Sequence, residues 1–374
     1  MGRRALKGKT KTKVRSPIWA RIVVTLGILV TAGGFGGIVA AKSVMSDLTS
    51  QIEVASVDDG TTPPPKPQGK PLTGAIDLLM LGVDTRQNQG KDNARSDTIM
   101  ILHVPASHDE AYLMSIPRDA WVDSPAWPKS GWSGGTGKIT EMFYHGSQRG
   151  QGWRGGAGLV KKILSGITGI TFDGVVVIDF QGFRNVIAAL GGVHMCVEED
   201  TWSSHYRKTA GGQQEYIRKK GYEGDYQLPD AWIHRKGCRN MAAWEALDYA
   251  RQRYGLPKSD YDRHRHQQQL IRAMVKKATS AGVLSNPGKL SDLLRAAGGS
   301  LKLDTGGYSA EDFLFNLKVL AAADLVSLKT NGGTFKKSGA GEGLTQATME
   351  MFRAAKNDTL GAFVFDNPEF LNPG

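Results

Sequence analysis

Apolar positions along this chain fall into three patterns, each predicting a different element. The longest is Ile22–Ala41, twenty residues without a charge. A helix of that length spans about 30 Å, the hydrocarbon thickness of a bilayer. Residues 18–41 are therefore expected to form a transmembrane helix. The rival is a cleaved signal peptide, since Val39-Ala40-Ala41 suits a cleavage site. Short continuous runs at Ala75–Val83, Thr98–Val104, Ala111–Ile116, Gly174–Asp179 and Val193–Val197 predict strands. Helical segments are expected at Leu159–Leu164, Phe183–Leu190, Asn240–Tyr249 and Arg263–Ala278, the second closed by Gly191-Gly192. Beyond about residue 280, helical stretches such as Ala310–Ala323 and Leu344–Ala355 alternate with short apolar runs at Leu325–Leu328 and Ala362–Phe365. Strands alternating with helices predict an α/β domain, a three-layer α/β/α arrangement with helices on both faces of a central mixed sheet.

The polar stretches between these runs mark boundaries. Residues 42–73 contain Thr61-Thr62-Pro63-Pro64-Pro65-Lys66-Pro67, a stiff polyproline spacer, and read as a stalk. The folded part then divides into 74–278 and a C-terminal α/β extension, 279–374, packing on it. Residues 126–158, rich in Gly and Trp, read as a loop or mobile lid, and Trp202–Tyr226 as a second surface insertion.

Charge changes this picture at one end only. Of the net +11, seven charges belong to Arg3, Arg4, Lys7, Lys9, Lys11, Lys13 and Arg15, with no acid among residues 1–17. That leaves +4 for the rest, so nucleic-acid binding by the folded part is not expected. Basic residues stay on the cytoplasmic side of a membrane helix. The tail 1–17 is thus expected inside, and the folded part outside, the cell membrane. In that compartment the even count of cysteines, Cys196 and Cys238, favours a disulfide over two buried thiols.

The chemistry-bearing segments pair arginine with aspartate: Asp84-Thr85-Arg86, Arg95-Ser96-Asp97, Arg118-Asp119, and the stretch from Arg251 and Arg253 through Asp260, Arg263 and Gln267. Most stand at predicted element ends. Asp84 follows a strand, where α/β sheets bind ligands. Arg251 and Arg253 point the same way if extended, and Arg263 and Gln267 share one helical face. Fixed guanidinium forks match phosphate oxygens, and neighbouring carboxylates suit a divalent cation. Surface salt bridging explains a single such pair but not five arginines gathered at element ends. Other chemistries fit poorly. Gly131–Thr140 fails as a phosphate loop, because Trp132 stands where the first Gly is needed and Ile139 follows Lys138. His264 and His266 point apart on a helix, which disfavours zinc, and no Gly-x-Ser-x-Gly elbow occurs.

At these residues the chain resembles the LytR-CpsA-Psr family of cell-wall glycopolymer ligases. The likeness runs through LLMLGVDTR, ARSDTIMILHV, MSIPRDAWV, GKIT, VVVIDFQGFRNVIAALGGVHMCV, ALDYARQRY and DYDRHRHQQQ, roughly residues 74–278. The resemblance implies an Mg²⁺- or Mn²⁺-dependent phosphotransferase moving a glycopolymer from a polyprenyl-pyrophosphate carrier to a peptidoglycan hydroxyl, normally that of N-acetylmuramic acid. It implies metal-linked Asp84 and Asp97, and a pyrophosphate clamp of Arg95, Arg118, Arg251, Arg253, Arg263 and Gln267. Arg118, Arg251, Arg253 and Asp260 would be catalytic, Asp260 as base or orienting group. An apolar tunnel for the lipid is expected between the sheet and the helices Phe183–Leu190 and Arg263–Ala278. The chain departs from the family pattern at His266, at Thr140 and in the Gly/Trp-rich stretch. A polyprenyl-pyrophosphate hydrolase, or a non-catalytic isoprenoid-phosphate-binding envelope regulator, is the alternative.

Overall fold

The computed structural model describes residues 52–57, 74–84, 93–218, 222, 224–283, 286–308, 313 and 323–372. The predicted basic tail, transmembrane helix and polyproline spacer lie outside these residues, as does most of the predicted helix Ala310–Ala323. Among the described residues no helix is long and apolar enough to cross a membrane.

In chain order the main elements are β1 (Glu53–Val54), β2 (Ile76–Asp84), β3 (Arg95–Val104), β4 (Glu110–Ile116), β5 (Trp121–Ser124), β6 (Gly135–Lys138), α1 (Ile139–Ser147), α2 (Gly152–Thr168), β7 (Gly174–Asp179) and α3 (Phe180–Ala189). There follow β8 (Val193–Val197), β9 (Thr201–Lys208), β10 (Gln214–Tyr216), β11 (Ala231–His234), β12 (Gly237–Met241), α4 (Ala243–Arg251), α5 (Asp260–Ser280) and α6 (Pro287–Ala297). The described chain ends with β13 (Leu301–Asp304), β14 (Asp324–Lys329), β15 (Lys337–Ser338), β16 (Gly341–Glu342), α7 (Gln346–Lys356) and α8 (Leu360–Asp366).

The central sheet has the order β1-β13-β7-β2-β3-β4-β14. It is mixed: β2 runs parallel to β7 and antiparallel to β3, and β4 runs parallel to β14. Its inner strands are apolar on both faces because both are covered. Leu79, Leu81, Val83, Ile99, Ile101 and Met114 pack with α1, α2 and α7. The alternate residues Ile76, Leu78, Met100, Leu102 and Leu113 pack on the opposite face, where Ile271 of α5 joins them. A period of two with both faces covered is what a continuous apolar run encodes. The expected three-layer core is therefore present.

Several expectations need correction. Residues 52–57 are not stalk: β1 pairs with β13, Ile52 and Val57 are buried, and Glu53 accepts from Trp153 Nε1 (2.7 Å) and Lys302 Nζ (2.8 Å). The division near 279 does not appear in the sheet, since β13 and β14 are two of its strands. Val193–Val197 is a strand but lies outside the central sheet, pairing with β12. That pairing also delays the helix expected from Asn240, which starts at Ala243. Ala362–Phe365 is helical. Within Trp202–Tyr226, read as a surface insertion, β9 and β10 join β11 in a second sheet over Ile217, Leu228 and Ala231. Cys196 and Cys238 stand opposite each other on β8 and β12 and are disulfide-bonded.

The Gly/Trp-rich stretch 126–158 is likewise ordered, with β6, α1 and the start of α2. Three of its glycines, Gly146, Gly155 and Gly156, serve helix contact. A Cβ on Gly146 would lie 2.4 Å from the Gly155 carbonyl oxygen, and one on Gly155 would lie 2.3 Å from that of Gly146. The two helix backbones touch, which only glycine permits.

One buried polar latch ties the late chain to the sheet. His103 of β3, fully buried, has Nδ1 2.9 Å from Asp77 of β2 and Nε2 3.1 Å from Asp358, just after α7. Burial pushes the imidazole pKa down, but hydrogen bonding and attraction to Asp77 and Asp358 outweigh it, so it is raised.

Two outcomes follow for stability. Gly155→Ala should force the helix backbones apart and cost about 1–3 kcal/mol, read as a lower Tm. Because the folded pKa of His103 is raised, its contribution is complete below the unfolded value of about 6.5 and is lost as pH rises through the folded value. The Tm gap between wild type and His103→Gln should therefore narrow as pH rises.

Candidate active site

Four neighbouring strands end at the same edge of the sheet. β2 and β7 run toward it, β4 finishes there, and β3 begins there. A bulge shapes this edge. Gly82 faces Thr98, but Val83 faces Ser96, leaving Asp97 as the extra residue. A bulge re-aims the side chain it inserts. Here Asp97 accepts from Arg118 Nη1 at 2.9 Å, just past the end of β4. Asp84, Arg95, Asp97 and Arg118 line a polar cavity of about 390 Å³ together with Asn93, Asp119, Lys138, Thr140 and Glu141. Lys138 Nζ lies 3.4 Å from Asp119.

The second wall comes from the α4–α5 connection. Arg251 is the last residue of α4, and Gln252 caps it in extended backbone. The buried Gln252 amide donates to Asp248 O and Oδ1, both at 2.8 Å, while its oxygen accepts from Ser204 N (2.9 Å) and Oγ (3.0 Å) of β9. With Gln252 held inward, Arg251 and Arg253 reach the cavity. The Arg251 guanidinium lies 3.8 Å from the centre of the Phe180 ring. Arg253 Nη2 donates to the Tyr254 hydroxyl at 2.5 Å. The first turn of α5 adds Asp260 and Arg263, and Gln267 follows one turn on.

Asp84, Asp97, Arg118, Arg251, Arg253, Arg263 and Gln267 line one cavity of about 170 Å³. Arg95 lines the adjoining polar cavity. The structure thus brings the sequence-derived residues together from β2, β3, the turn after β4, α4 and α5. Asp260 stands behind them, its Oδ1 3.1 Å from Arg263 Nη2 and 4.0 Å from Arg253 Nη1. Burial pushes the Asp260 pKa up, but Arg263, His264, Arg118 and Arg253 outweigh it and hold the carboxyl below its ordinary value. Burial pushes the Arg263 guanidinium down, with Asp260 opposing. For Arg118 the balance reverses: burial lowers it, but Asp97, Asp260 and Asp119 leave it raised.

The arrangement has unmet hydrogen-bonding capacity. Arg263 is only 6% exposed, and its Nε and Nη2 have no hydrogen-bond acceptor; the Asp260 contact supplies charge without alignment. Arg118 Nε, 3.9 Å from Asp119 Oδ1, and Gln267 Oε1 are also buried without hydrogen-bond partners. Buried donors without acceptors are costly, so a cluster of cationic ones beside a cavity is suited to an anion with several oxygens. Asp84 and Asp97 add hard oxygen donors to the same wall. Among the described residues no third histidine, cysteine or acid joins them at ligand spacing. Two carboxylates suffice for Mg²⁺ when phosphate oxygens and water complete its shell. The grouping of His194 with Cys196 and Cys238 is not such a site, since both sulfurs are in the disulfide.

Beside the site lies an apolar cleft between β3, α3, α4 and α5, lined by Thr98, Phe180, Phe183, Leu247, Leu270 and Ile271. Its position is that of the expected tunnel, but it encloses only about 20 Å³. The expected tunnel is therefore no more than a narrow cleft here.

Sequence reading missed Gln252, Phe180 and the His205–Asp248–His234 cluster. The Asp179 side chain accepts from Gly182 N at 2.8 Å and caps α3, a start signal that would have put Phe180 at the site's edge. His205 and Asp248 are 43 residues apart and carry no local signal.

The LytR_cpsA_psr family model matches residues 43–352, and the chain belongs to that family. It is 28% identical over 291 residues to the cell wall biosynthesis protein LcpA of Corynebacterium glutamicum, covering 69% of this chain and 50% of that one. It is 25% identical over 308 residues to the polyisoprenyl-teichoic acid–peptidoglycan teichoic acid transferase TagT of Bacillus subtilis, covering 81% and 82%. The chain spans about half the length of the corynebacterial relatives it matches. Among solved structures, TagT bound to LI-WTA has the same fold, with a TM-score of 0.55 at 24% identity over 82% of this chain and 99% of that one.

Inorganic pyrophosphate should raise the Tm of the wild-type protein, and high salt should weaken the effect. The shift should be much smaller in Arg263→Gln, measured by thermal scanning with and without pyrophosphate.

Proposed function

We propose that the protein is a membrane-anchored, Mg²⁺- or Mn²⁺-dependent phosphotransferase joining a polyprenyl-pyrophosphate-linked glycopolymer to a peptidoglycan hydroxyl. The observation that carries this reading is the set of buried guanidinium donors of Arg118 and Arg263 left without acceptors beside Asp84 and Asp97. Relatives support it: TagT is named as a teichoic acid transferase, and one solved structure of it carries octaprenyl pyrophosphate.

In this reading Arg95, Arg118, Arg251, Arg253 and Arg263 grip the pyrophosphate oxygens. Phosphoryl transfer asks mainly for positioning and charge neutralisation, which fixed guanidinium groups supply without reorganisation. Asp84 and Asp97 would hold the cation, which neutralises phosphate charge when bound. Asp260 sets the spacing of Arg253 and Arg263; its lowered pKa makes it a weak base. The apolar cleft beside Phe180 and Phe183 takes the start of the lipid, with α3, α4 and α5 parting to admit the rest. The family's membrane-bound carrier fits the apolar segment 18–41, with the folded part outside the cell.

Arg118→Ala and Arg251→Ala should each lower transfer at least about 100-fold with the fold intact, as loss of a preorganised charge donor does. The assay supplies a polyprenyl-pyrophosphate-linked disaccharide with peptidoglycan fragments and measures conjugate. Full activity in both variants would reject the clamp. Polyprenyl phosphate released without conjugate would favour hydrolysis, and metal-independent binding without turnover a regulator.

A further inference from the structure

A hydroxyl attacking the pyrophosphate must lose a proton, and the clamp offers no good acceptor for it. Asp260 is ion-paired and acidified, Asp97 is bonded to Arg118, and Asp84, which lines the same cavity, is assigned to the cation. The same 170 Å³ cavity is also lined by His205, from β9 in the second sheet. Its Nδ1 lies 2.8 Å from Asp248 Oδ1. On the other side of that carboxylate, His234 Nε2 lies 2.7 Å from Oδ2. Gln252 Nε2 also donates to Asp248 Oδ1, at 2.8 Å. Asp248 and His234 are buried, whereas the His205 side chain keeps 21% of its surface exposed. Burial pushes the Asp248 pKa up, but the hydrogen bonds from both histidines outweigh it and keep the group ionised. An ionised carboxylate only accepts, so each histidine presents N–H to it. The Nδ1 hydrogen of His205 is therefore committed, and Nε2 of the neutral ring carries the lone pair.

We propose that His205 is the general base of the transfer reaction, with Asp248 and the buried His234 as positioning residues that fix its tautomer. This rests on the transferase reading above. The acceptor hydroxyl oxygen forms a bond to the glycopolymer-side phosphorus as its proton passes to His205 Nε2. The bond from that phosphorus to the bridging oxygen breaks, and its electron pair leaves with polyprenyl phosphate. His205 then returns the proton to the departing phosphate or to water. No oxidant or further reactant is needed. Arg251 and Arg263 from the helices, Arg253 from the α4–α5 connection, Arg118 after β4, and Asp84 and Asp97 from the strands share the cavity with His205.

The test uses the full chain in lipid nanodiscs with Mg²⁺, a synthetic octaprenyl-pyrophosphate-linked disaccharide and peptidoglycan fragments. His205→Asn can still donate to Asp248 but has no basic nitrogen. It should bind the donor as wild type does, transfer about 10²–10⁴-fold more slowly, and lack the acid limb of the wild-type pH–rate profile. An H205N enzyme with the wild-type rate and profile overturns the base. Should H205N lose donor binding, the wild-type profile decides. A fall of about tenfold per pH unit on the acid side upholds the proposal, and a rate flat from pH 8 to 5 overturns it. A wild-type enzyme that binds the donor but makes no conjugate overturns the transferase reading itself, and the base with it.

Discussion

Arg263 is a permanent cation taken almost wholly out of water, and the site is organised around tolerating it. A lone buried charge is costly, and truncating one partner of a buried pair costs more than the pair contributes. Asp260, one turn earlier on the same helix, supplies the opposite charge at 3.1 Å. Its alignment leaves guanidinium donors unspent. Arg118 is treated similarly: Asp97 takes one of its nitrogens, and Nε is left buried without an acceptor. The fold thus holds positive groups close together with too few internal acceptors, a state that an oxygen-rich anion relieves.

Holding them requires rigidity behind the site. The sheet provides it on one side, buried on both faces and bulged at Asp97. On the other side the α4–α5 connection is anchored by Gln252, whose amide is bonded at both ends to α4 and to β9. The second sheet therefore does more than cover surface. It pins the turn that aims Arg251 and Arg253, and it delivers His205 to the same cavity. Tyr261 reinforces the base of α5 by bonding to Glu342, which in turn accepts from Asn331 at 2.8 Å. The late chain is thus tied to α5 as well as to the sheet through His103.

The membership in the LytR_cpsA_psr family gives these features a common sense. The proposed substrate, a carrier lipid with a pyrophosphate head, would need an apolar cleft opening beside a cationic cavity. Phe180 and Arg251 stand at that border, the guanidinium stacked on the ring at 3.8 Å. Here apolar and charged surfaces meet through a cation–π contact, which tolerates both.

The central strands and most helices were legible because their signal is local: a run of apolar residues such as Ile99–Leu102 is interpretable wherever it folds. The arginines and aspartates were legible for a related reason, since Asp84 and Arg251 end their elements, Arg118 follows β4 closely and Asp97 lies near the start of β3. Other features depend on chain segments that meet only in space. Gly146 and Gly155 looked like a mobile loop, because sequence carries no mark of two backbones in contact. Glu53 looked like stalk until Lys302 and Trp153 met it across the fold. His205, Asp248 and His234 form a cluster only after the second sheet folds against α4. By itself the sequence determined where strands and helices run and which charged residues guard their ends, since periodicity and charge are properties of neighbours in the chain. Tertiary structure alone decided which of those charges are buried, which lack partners and which histidine joins them, because burial and pairing depend on what the distant chain brings.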